Sequence, residues 1–233
     1  MLIYGKKTLM PYLLDRKIAV IDYMLISHFD TDHCQGLLYI MQKMKVKNII
    51  IGRQFENSEN YEKFIQIIKQ KKIKVNVLEA QNKISIEKNL YFEILWPKPS
   101  KKVDENVLNN NSLVCKMVYQ EFSMLFTGDI EKLAEDEIIK LYSSTNLLKA
   151  SVLKVAHHGS KSSSTEEFLK LVQPKIAVIG VGKNNLYGHP NEQVLQRLQK
   201  NGVGIFRTDV DGEVSIRVND GGKIKVKKFI LSD

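Results

Sequence analysis

Ile21-Asp22-Tyr23-Met24-Leu25-Ile26-Ser27-His28-Phe29-Asp30-Thr31-Asp32-His33 begins as an apolar, β-prone run and ends in four side chains of metal-ligand type within six positions. A strand that leaves into a polar loop and then a helix accounts for this order. Two imidazoles and two carboxylates crowded together would repel and would be costly to desolvate in a folded loop without a compensating cation. Helix capping explains one of the carboxylates but not the set. A lone histidine is ordinarily structural; the cluster His28, Asp30, Asp32 and His33 is what points to a metal.

Downstream, Leu37, Leu38, Ile40, Met41 and Met44 recur at helical spacing, so a helix is predicted over 36–44, followed by a short buried strand over 48–51. A second amphipathic helix over 57–71 carries Tyr61, Phe64, Ile65 and Ile68 on one face, and strands follow over 73–78, 84–86 and 90–95. Trp96-Pro97-Lys98-Pro99 stops that run, and the polar, Asn-rich segment 100–111 reads as a long loop. A hairpin over 112–119 and 122–127 leads to Gly128-Asp129 and a helix over 131–142, and a strand over 150–156 ends at His157-His158-Gly159. Ser163 with Glu166, or Ser164 with Glu167, has capping-box spacing for the next helix. A strand over 175–181 precedes a helix over 190–200, with Pro190 in its first turn and Gly202 as its stop. Turns at Asp211-Gly212 and Asp220-Gly221-Gly222 divide the remainder into strands. This order predicts one α/β domain over 1–233 with two mixed sheets and helices outside.

Composition sets the boundaries. The hydrophobic fraction of 43% in 233 residues is ordinary for a globular chain able to bury a sizeable core. Lys and Arg exceed Asp and Glu by 35 to 26, a net charge of +9, which suits a polyanionic partner as readily as a plain solvated surface. The last basic group, Lys223, Lys225, Lys227 and Lys228, alternates as on a wet or guarded strand. Cys34 and Cys115 are the two cysteines and lack zinc-ribbon or disulfide spacing, so both read as small buried apolar residues. No stretch reaches the length of a membrane helix, and no signal core follows the start, so a cytoplasmic location is the default expectation.

The pattern H-x-D-x-D-H resembles the H-x-H-x-D-H signature of metallo-β-lactamase-fold hydrolases. It is more similar still to the variant in the C-terminal domain of ComEC-type DNA-internalisation competence proteins. Further segments extend the likeness: Leu125-Phe126-Thr127-Gly128-Asp129, Leu153-Lys154-Val155-Ala156-His157-His158-Gly159-Ser160-Lys161-Ser162-Ser163, Tyr187-Gly188-His189-Pro190, and Arg207-Thr208-Asp209 with Asp211-Gly212. Together they cover residues 6 to about 214 in the family's order.

The resemblance implies an αββα sandwich and one or two divalent ions. His28 and Asp30 match first-metal ligands, Asp32 and His33 match second-metal ligands, and Asp129 matches the carboxylate bridging both ions. The family's later histidine falls at His157 or His158, and spacing does not choose; the working assignment gives ligation to His157 and places Asp32, His158 and His189 in catalysis. His189 lies where relatives place either another ligand or a phosphate contact. No histidine occurs between His33 and His157, where Asn109-Asn110-Asn111-Ser112 stands, so the first metal lacks one imidazole usual in lactamases. Relatives also begin with strands carrying an Asp-Val-Gly-Gln-Gly-Asp-like segment that this chain lacks ahead of Asp22, so the domain is expected to be shortened at its start and its first sheet short.

Oxygen-rich ligation at Asp30 favours Mn²⁺ while leaving Zn²⁺ open. Two such ions about 3.5 to 4 Å apart lower the pKa of a bridging water and neutralise a phosphoryl oxygen. The loop of Ser160, Lys161 and Ser162 ahead of a helix could hold a phosphate, with Lys183 as a second basic contact, although a simple capping loop explains the segment equally well. The resulting expectation is a metal-dependent phosphodiesterase acting on DNA, associated with a membrane DNA-uptake channel. The alternatives are hydrolysis of a small ester, thioester or lactam, and a nucleic-acid-binding remnant without catalysis.

Overall fold

In the computed structural model, which describes residues 5–229, the run ahead of the His/Asp cluster is a strand, β1 (Val20–Ile26). It pairs in parallel with β2 (Lys45–Gly52), which pairs in parallel with β3 (Lys74–Leu78). This first sheet is therefore wholly parallel and not mixed as the sequence suggested, because helices α2 (Thr31–Lys43) and α3 (Glu59–Lys71) make its crossovers. Side chains alternate across it. Met24, Ile26, Ile49 and Ile51 pack toward the helices, while Tyr23, Leu25 and Ile50 face the second sheet. A strand covered on both faces reads as a continuous apolar run, as Ile49-Ile50-Ile51 does.

The second sheet has seven strands in the order β10-β9-β8-β7-β6-β5-β4: β4 (Lys83–Glu87), β5 (Leu90–Trp96), β6 (Val114–Tyr119), β7 (Phe122–Phe126), β8 (Val152–Lys154), β9 (Ile176–Ile179) and β10 (Gly204–Arg207). The first four are antiparallel neighbours, and β7 to β10 run parallel. Ile94 and Cys115 on its inner face meet Ile50, closing the seam between sheets. Its outer face carries the largest cluster, in which Ile138, Phe168, Val194 and Leu198 from α5 (Lys132–Tyr142), α6 (Glu166–Val172) and α7 (Glu192–Lys200) cover Leu95, Leu125, Leu153 and Ala177. The layers are thus helix, sheet, sheet, helix, the αββα arrangement. A separate antiparallel pair, β11 (Glu213–Val218) and β12 (Ile224–Phe229), holds the lysine-rich tail of the described chain.

Several boundaries differ from the sequence expectation. Helix α2 begins at Thr31, five residues before the predicted start, because its first turn consists of polar cluster residues that apolar spacing cannot register. Asp30 is its N-cap by backbone alone: its carbonyl accepts from His33 N and Cys34 N at 3.1 and 3.0 Å, and its carboxylate makes no capping bond. Helix α6 is capped by Thr165, whose Oγ1 accepts from Phe168 N, and not by Ser163 or Ser164. Helix α7 is capped by Asn191, one residue after Pro190. The Asn-rich segment contains the short helix α4 (Val107–Asn110), and a π-helical turn (Gly5–Leu9) with α1 (Met10–Asp15) precedes β1. Both cysteines are buried, as expected. Among the described residues no helix is long and apolar enough to cross a membrane.

Candidate metal centre

The C-terminal ends of β1, β7 and β8 converge, and their loops bring Asp32, His33, Asp129 and His158 together with ligand atoms all within 4.8 Å of one another. His158 Nε2 lies 3.1 Å from Asp32 Oδ2, 3.2 Å from His33 Nε2 and 3.3 Å from Asp129 Oδ2, and His33 Nε2 lies 3.0 Å from Asp129 Oδ2. Four lone-pair donors aimed at one point, two of them carboxylates, fit a small divalent cation.

Neighbouring groups fix which ring nitrogen faces that point. Ser27 Oγ contacts His28 Nδ1 at 3.0 Å and His33 Nδ1 at 3.4 Å, and His158 Nδ1 donates to Gly180 O at 2.6 Å, so each ring turns its Nε2 toward the cluster. Phe29 anchors the loop between His28 and Asp30: buried against Tyr61 and Phe64 of α3, its ring contributes about 2 to 3 kcal/mol of burial. Its carbonyl accepts from Asn60 Nδ2. Asp129 is set by Gly128, which has φ +53° and where a Cβ would lie 2.5 Å from Ser112 Cβ. Glycine is required there on both counts.

The electrostatics of the quartet are set by pairing between its histidines and carboxylates. Burial by itself would raise the Asp129 carboxyl, but hydrogen bonds from His158 and His33 hold it well below the usual carboxylate range. A hydrogen bond from His158, opposed by burial, holds Asp32 down to about 2. Burial would lower His158, yet its bonds to Asp129 and Asp32 prevail and raise it to about 10. A proton on His158 thus compensates two carboxylates where a metal ion would otherwise do so.

A second group of donors adjoins this quartet. His28 is 1% exposed, and burial followed by the neighbouring His33 pulls its imidazole down to about 3, leaving a neutral ring whose Nε2 has no hydrogen-bond partner. Asp30 Oδ2 lies 3.7 Å from that nitrogen. Asp129 Oδ1, on the same carboxylate that serves the quartet, is also buried and unpartnered. Buried polar atoms are ordinarily hydrogen-bonded, so these orphaned atoms mark a place where donors stand without a partner.

The structure separates the two adjacent histidines that spacing could not. His157, His158 and Gly159 all have left-handed backbone, at φ +47°, +52° and +82°. This tight turn sends the neighbouring rings apart. His158 joins the quartet, whereas His157, given the ligand position from sequence, lies outside it with Nδ1 3.5 Å from Glu131 Oε1. His189 lines the cleft beside His157, ring centroids 5.8 Å apart, with an unpartnered Nδ1, and does not join the quartet.

The serine-rich loop is placed differently from a phosphate cradle. Ser160 and Ser162 hydroxyls bond to each other, Ser162 Oγ donates to Glu131, and Ser164 N, Thr165 N and Thr165 Oγ1 donate to the fully buried Glu135. Arg197 ties down the carbonyls of Ser163 and Ser164. With those donors engaged, Ser160, Lys161 and Ser162 lie outside the lining of the cleft; Lys161 and Lys183 are exposed, Lys183 in the loop that borders it.

The cleft itself, ≈ 570 Å³, opens over Asp30, Asp32, Asp129 and His158 and is bounded by Gly180, Gly182, Asn185, Tyr187 and His189. Asn109, whose Oδ1 is buried without a partner, lines it from the Asn-rich segment. Tyr187 is part of the Tyr187-Gly188-His189-Pro190 segment, with no role assigned to it from sequence, and Asn185, two residues ahead of that segment, was passed over.

The family model for the metallo-beta-lactamase superfamily matches residues 2–183 of the chain. This chain belongs to the metallo-β-lactamase superfamily. Within it, the chain is 36% identical over 213 residues to ComE operon protein 3 of Bacillus subtilis (strain 168), covering 91% of this chain and 26% of that protein. It is 30% identical over 208 residues to recombination protein 2 of Haemophilus influenzae, covering 89% and 24%. Over 142 residues, 59% of this chain and 20% of its counterpart, it is 34% identical to competence protein ComA of Neisseria gonorrhoeae. The chain thus spans about a quarter or less of the length of these relatives. Among solved structures, a CmlA beta-hydroxylase variant superposes with a TM-score of 0.54 at 12% identity, covering 81% of this chain and 43% of that one, a likeness of fold. Superfamily, sandwich and ligand cluster agree on a metal-dependent hydrolase.

Proposed function

We propose that the chain is a metal-dependent phosphodiesterase acting on DNA. The observation that carries the reading is the convergence of Asp32, His33, Asp129 and His158 at the floor of an open cleft, with the orphaned His28 Nε2 and Asp129 Oδ1 beside it. Asp32, His33, Asp129 and His158 would hold one divalent ion, Zn²⁺ or Mn²⁺, and His28, Asp30 and the second oxygen of Asp129 would hold another. Bound there, such ions neutralise phosphoryl oxygens and lower the pKa of an attacking water.

The protein's own residues do the rest. Ser27 and Gly180 keep the imidazole Nε2 atoms aimed at the site before any ligand arrives, which lowers the cost of assembling it. Asp30 and Asp32, both on the cleft wall, supply negative charge that offsets the ions. His189, which lines the cleft, would stand beside the reacting phosphodiester and assist its cleavage. Asn109 would offer its amide group to a phosphate oxygen, and the net charge of +9 attracts a polyanion. Lys161 and Lys183 would then attract the approaching strand at longer range, while the hydroxyls of Ser160 and Ser162 stay engaged with each other and with Glu131.

DNA as the substrate rests on relatives named for competence and recombination together with that charge. The same relatives motivate an association with a membrane DNA-uptake channel. Purified protein incubated with labelled single-stranded DNA and Mn²⁺ or Zn²⁺ tests the reading, run beside a lactam and a thioester. Cleavage of DNA that weakens as salt rises supports it. Salt-insensitive turnover of the small substrates without DNA cleavage replaces it with a small-ester hydrolase, and salt-sensitive binding without any turnover replaces it with a nucleic-acid-binding protein.

A further inference from the structure

The loop 182–188 carries two large apolar side chains that are left in water, Leu186 at 98% and Tyr187 at 84% exposure, the most exposed large hydrophobics among the described residues. The loop that presents them is braced. Asn185 Nδ2 donates to His189 O at 2.7 Å and to Gly182 O at 3.2 Å, and His189 N donates to Asn185 Oδ1 at 2.9 Å. Tyr187 lies against His189 with ring planes 18° apart and centroids 6.0 Å apart. The tyrosine also ends a file of rings that starts in the ligand quartet: His158 to His157 at 6.3 Å, His157 to His189 at 5.8 Å, then Tyr187. A flat aromatic face is thereby held at the cleft wall, three rings from the ligand atoms, with nothing in the protein covering it.

We propose that Tyr187, backed by His189, is a stacking platform for the nucleobase of a nucleotide next to the phosphodiester being cut, so that the strand bound in this cleft is single-stranded. The inference rests on the phosphodiesterase reading above for the identity of its ligand. The lactam and thioester groups themselves carry no aromatic ring, whereas a base flanks every phosphodiester of a nucleic-acid strand. Bases in a duplex are already stacked on one another, and only an unpaired strand can turn one onto a protein ring. The braced loop lowers the ordering cost of binding, since the backbone that carries the ring is already held when the strand arrives. Leu186, adjoining it, extends the apolar surface under the edge of the base.

The test compares a labelled oligothymidylate with a strand of equal length and charge in which the bases are replaced by abasic sites, both measured by fluorescence anisotropy with EDTA present so that neither is cut. The wild-type protein should bind the thymidine strand at least tenfold more tightly. Tyr187→Ala should lose about tenfold in affinity for oligothymidylate, within the range of base–aromatic stacking, and nothing for the abasic strand. Tyr187→Phe should retain wild-type affinity for both. Equal losses on the two strands, no loss on either, or a wild-type protein indifferent to the bases would overturn the platform. Base-dependent binding in a protein that cuts no DNA with any metal would leave the platform standing and remove the nuclease reading instead.

Discussion

Asp32 Oδ2 and His158 Nε2 are 3.1 Å apart across 126 positions of sequence, one from the first turn of α2 and the other from the left-handed turn after β8. The pair joins the two halves of the sandwich at the site. Replacing His158 by Ala removes a ligand atom from the quartet, and metal content should fall by about one equivalent in elemental analysis of the purified variant. His157→Ala should keep its metal. A variant pair with the opposite behaviour would exchange the two assignments.

Metal binding should release a proton. His158 is raised to about 10 from an ordinary 6.5 by Asp129 and Asp32, so at pH 8 it carries a proton that a cation must displace. Titration calorimetry at pH 8 in two buffers of different ionisation enthalpy should report close to one proton released, and apparent affinity should rise with pH toward 10. The metal-free fold should behave conversely. The raised pKa contributes stability that is complete below about 6.5 and is lost as pH rises through about 10, so the melting temperature without metal should fall over that window. Metal binding without proton release would show His158 to be neutral.

Gly128→Ala should destabilise the protein by at least about 1 to 3 kcal/mol, the cost of a left-handed non-glycine residue, before the clash with Ser112 is added. Because Asp129 follows directly, metal affinity should drop as well. Calorimetric unfolding of the metal-free variant separates the two effects, and an unchanged melting temperature would contradict the geometry.

Glu135 offers a test remote from the ligands. Its buried carboxylate accepts from Ser164 N, Thr165 N and Thr165 Oγ1, fixing the loop that follows His158. Glu135→Ala strands two backbone donors away from water, at about 1 to 3 kcal/mol each. Chemical denaturation should show a loss of at least about 2 kcal/mol; a loss under about 0.5 kcal/mol would mean that the loop finds other partners.

Much of this architecture is written in local pattern. The run over 21–26 is apolar and ends in ligand-type residues because β1 is buried on both faces and delivers its polar end to the site. Asp32, His33 and Asp129 stand out in the sequence because each belongs to a motif, and the structure brings them together. His157 and His158 could not be told apart, since the direction of each ring depends on consecutive left-handed residues that no side-chain pattern encodes. The serine-rich loop read equally well as an anion cradle or a capping loop, because nothing in the sequence reveals that Glu135 faces inward to take the donors of Ser164 and Thr165 or that Glu131 accepts from Ser162. The parallel first sheet was likewise hidden, because strand direction is set by crossovers rather than by composition.

The most direct measurement is cleavage of a labelled single-stranded oligonucleotide by metal-loaded wild-type protein and by Asp129→Ala, with metal content determined on the same preparations. The account predicts cleavage by the wild type that EDTA abolishes, and an Asp129→Ala protein that has lost both bound metal and cleavage. A wild-type protein that holds its full complement of metal and leaves the DNA intact with both Mn²⁺ and Zn²⁺ would contradict it.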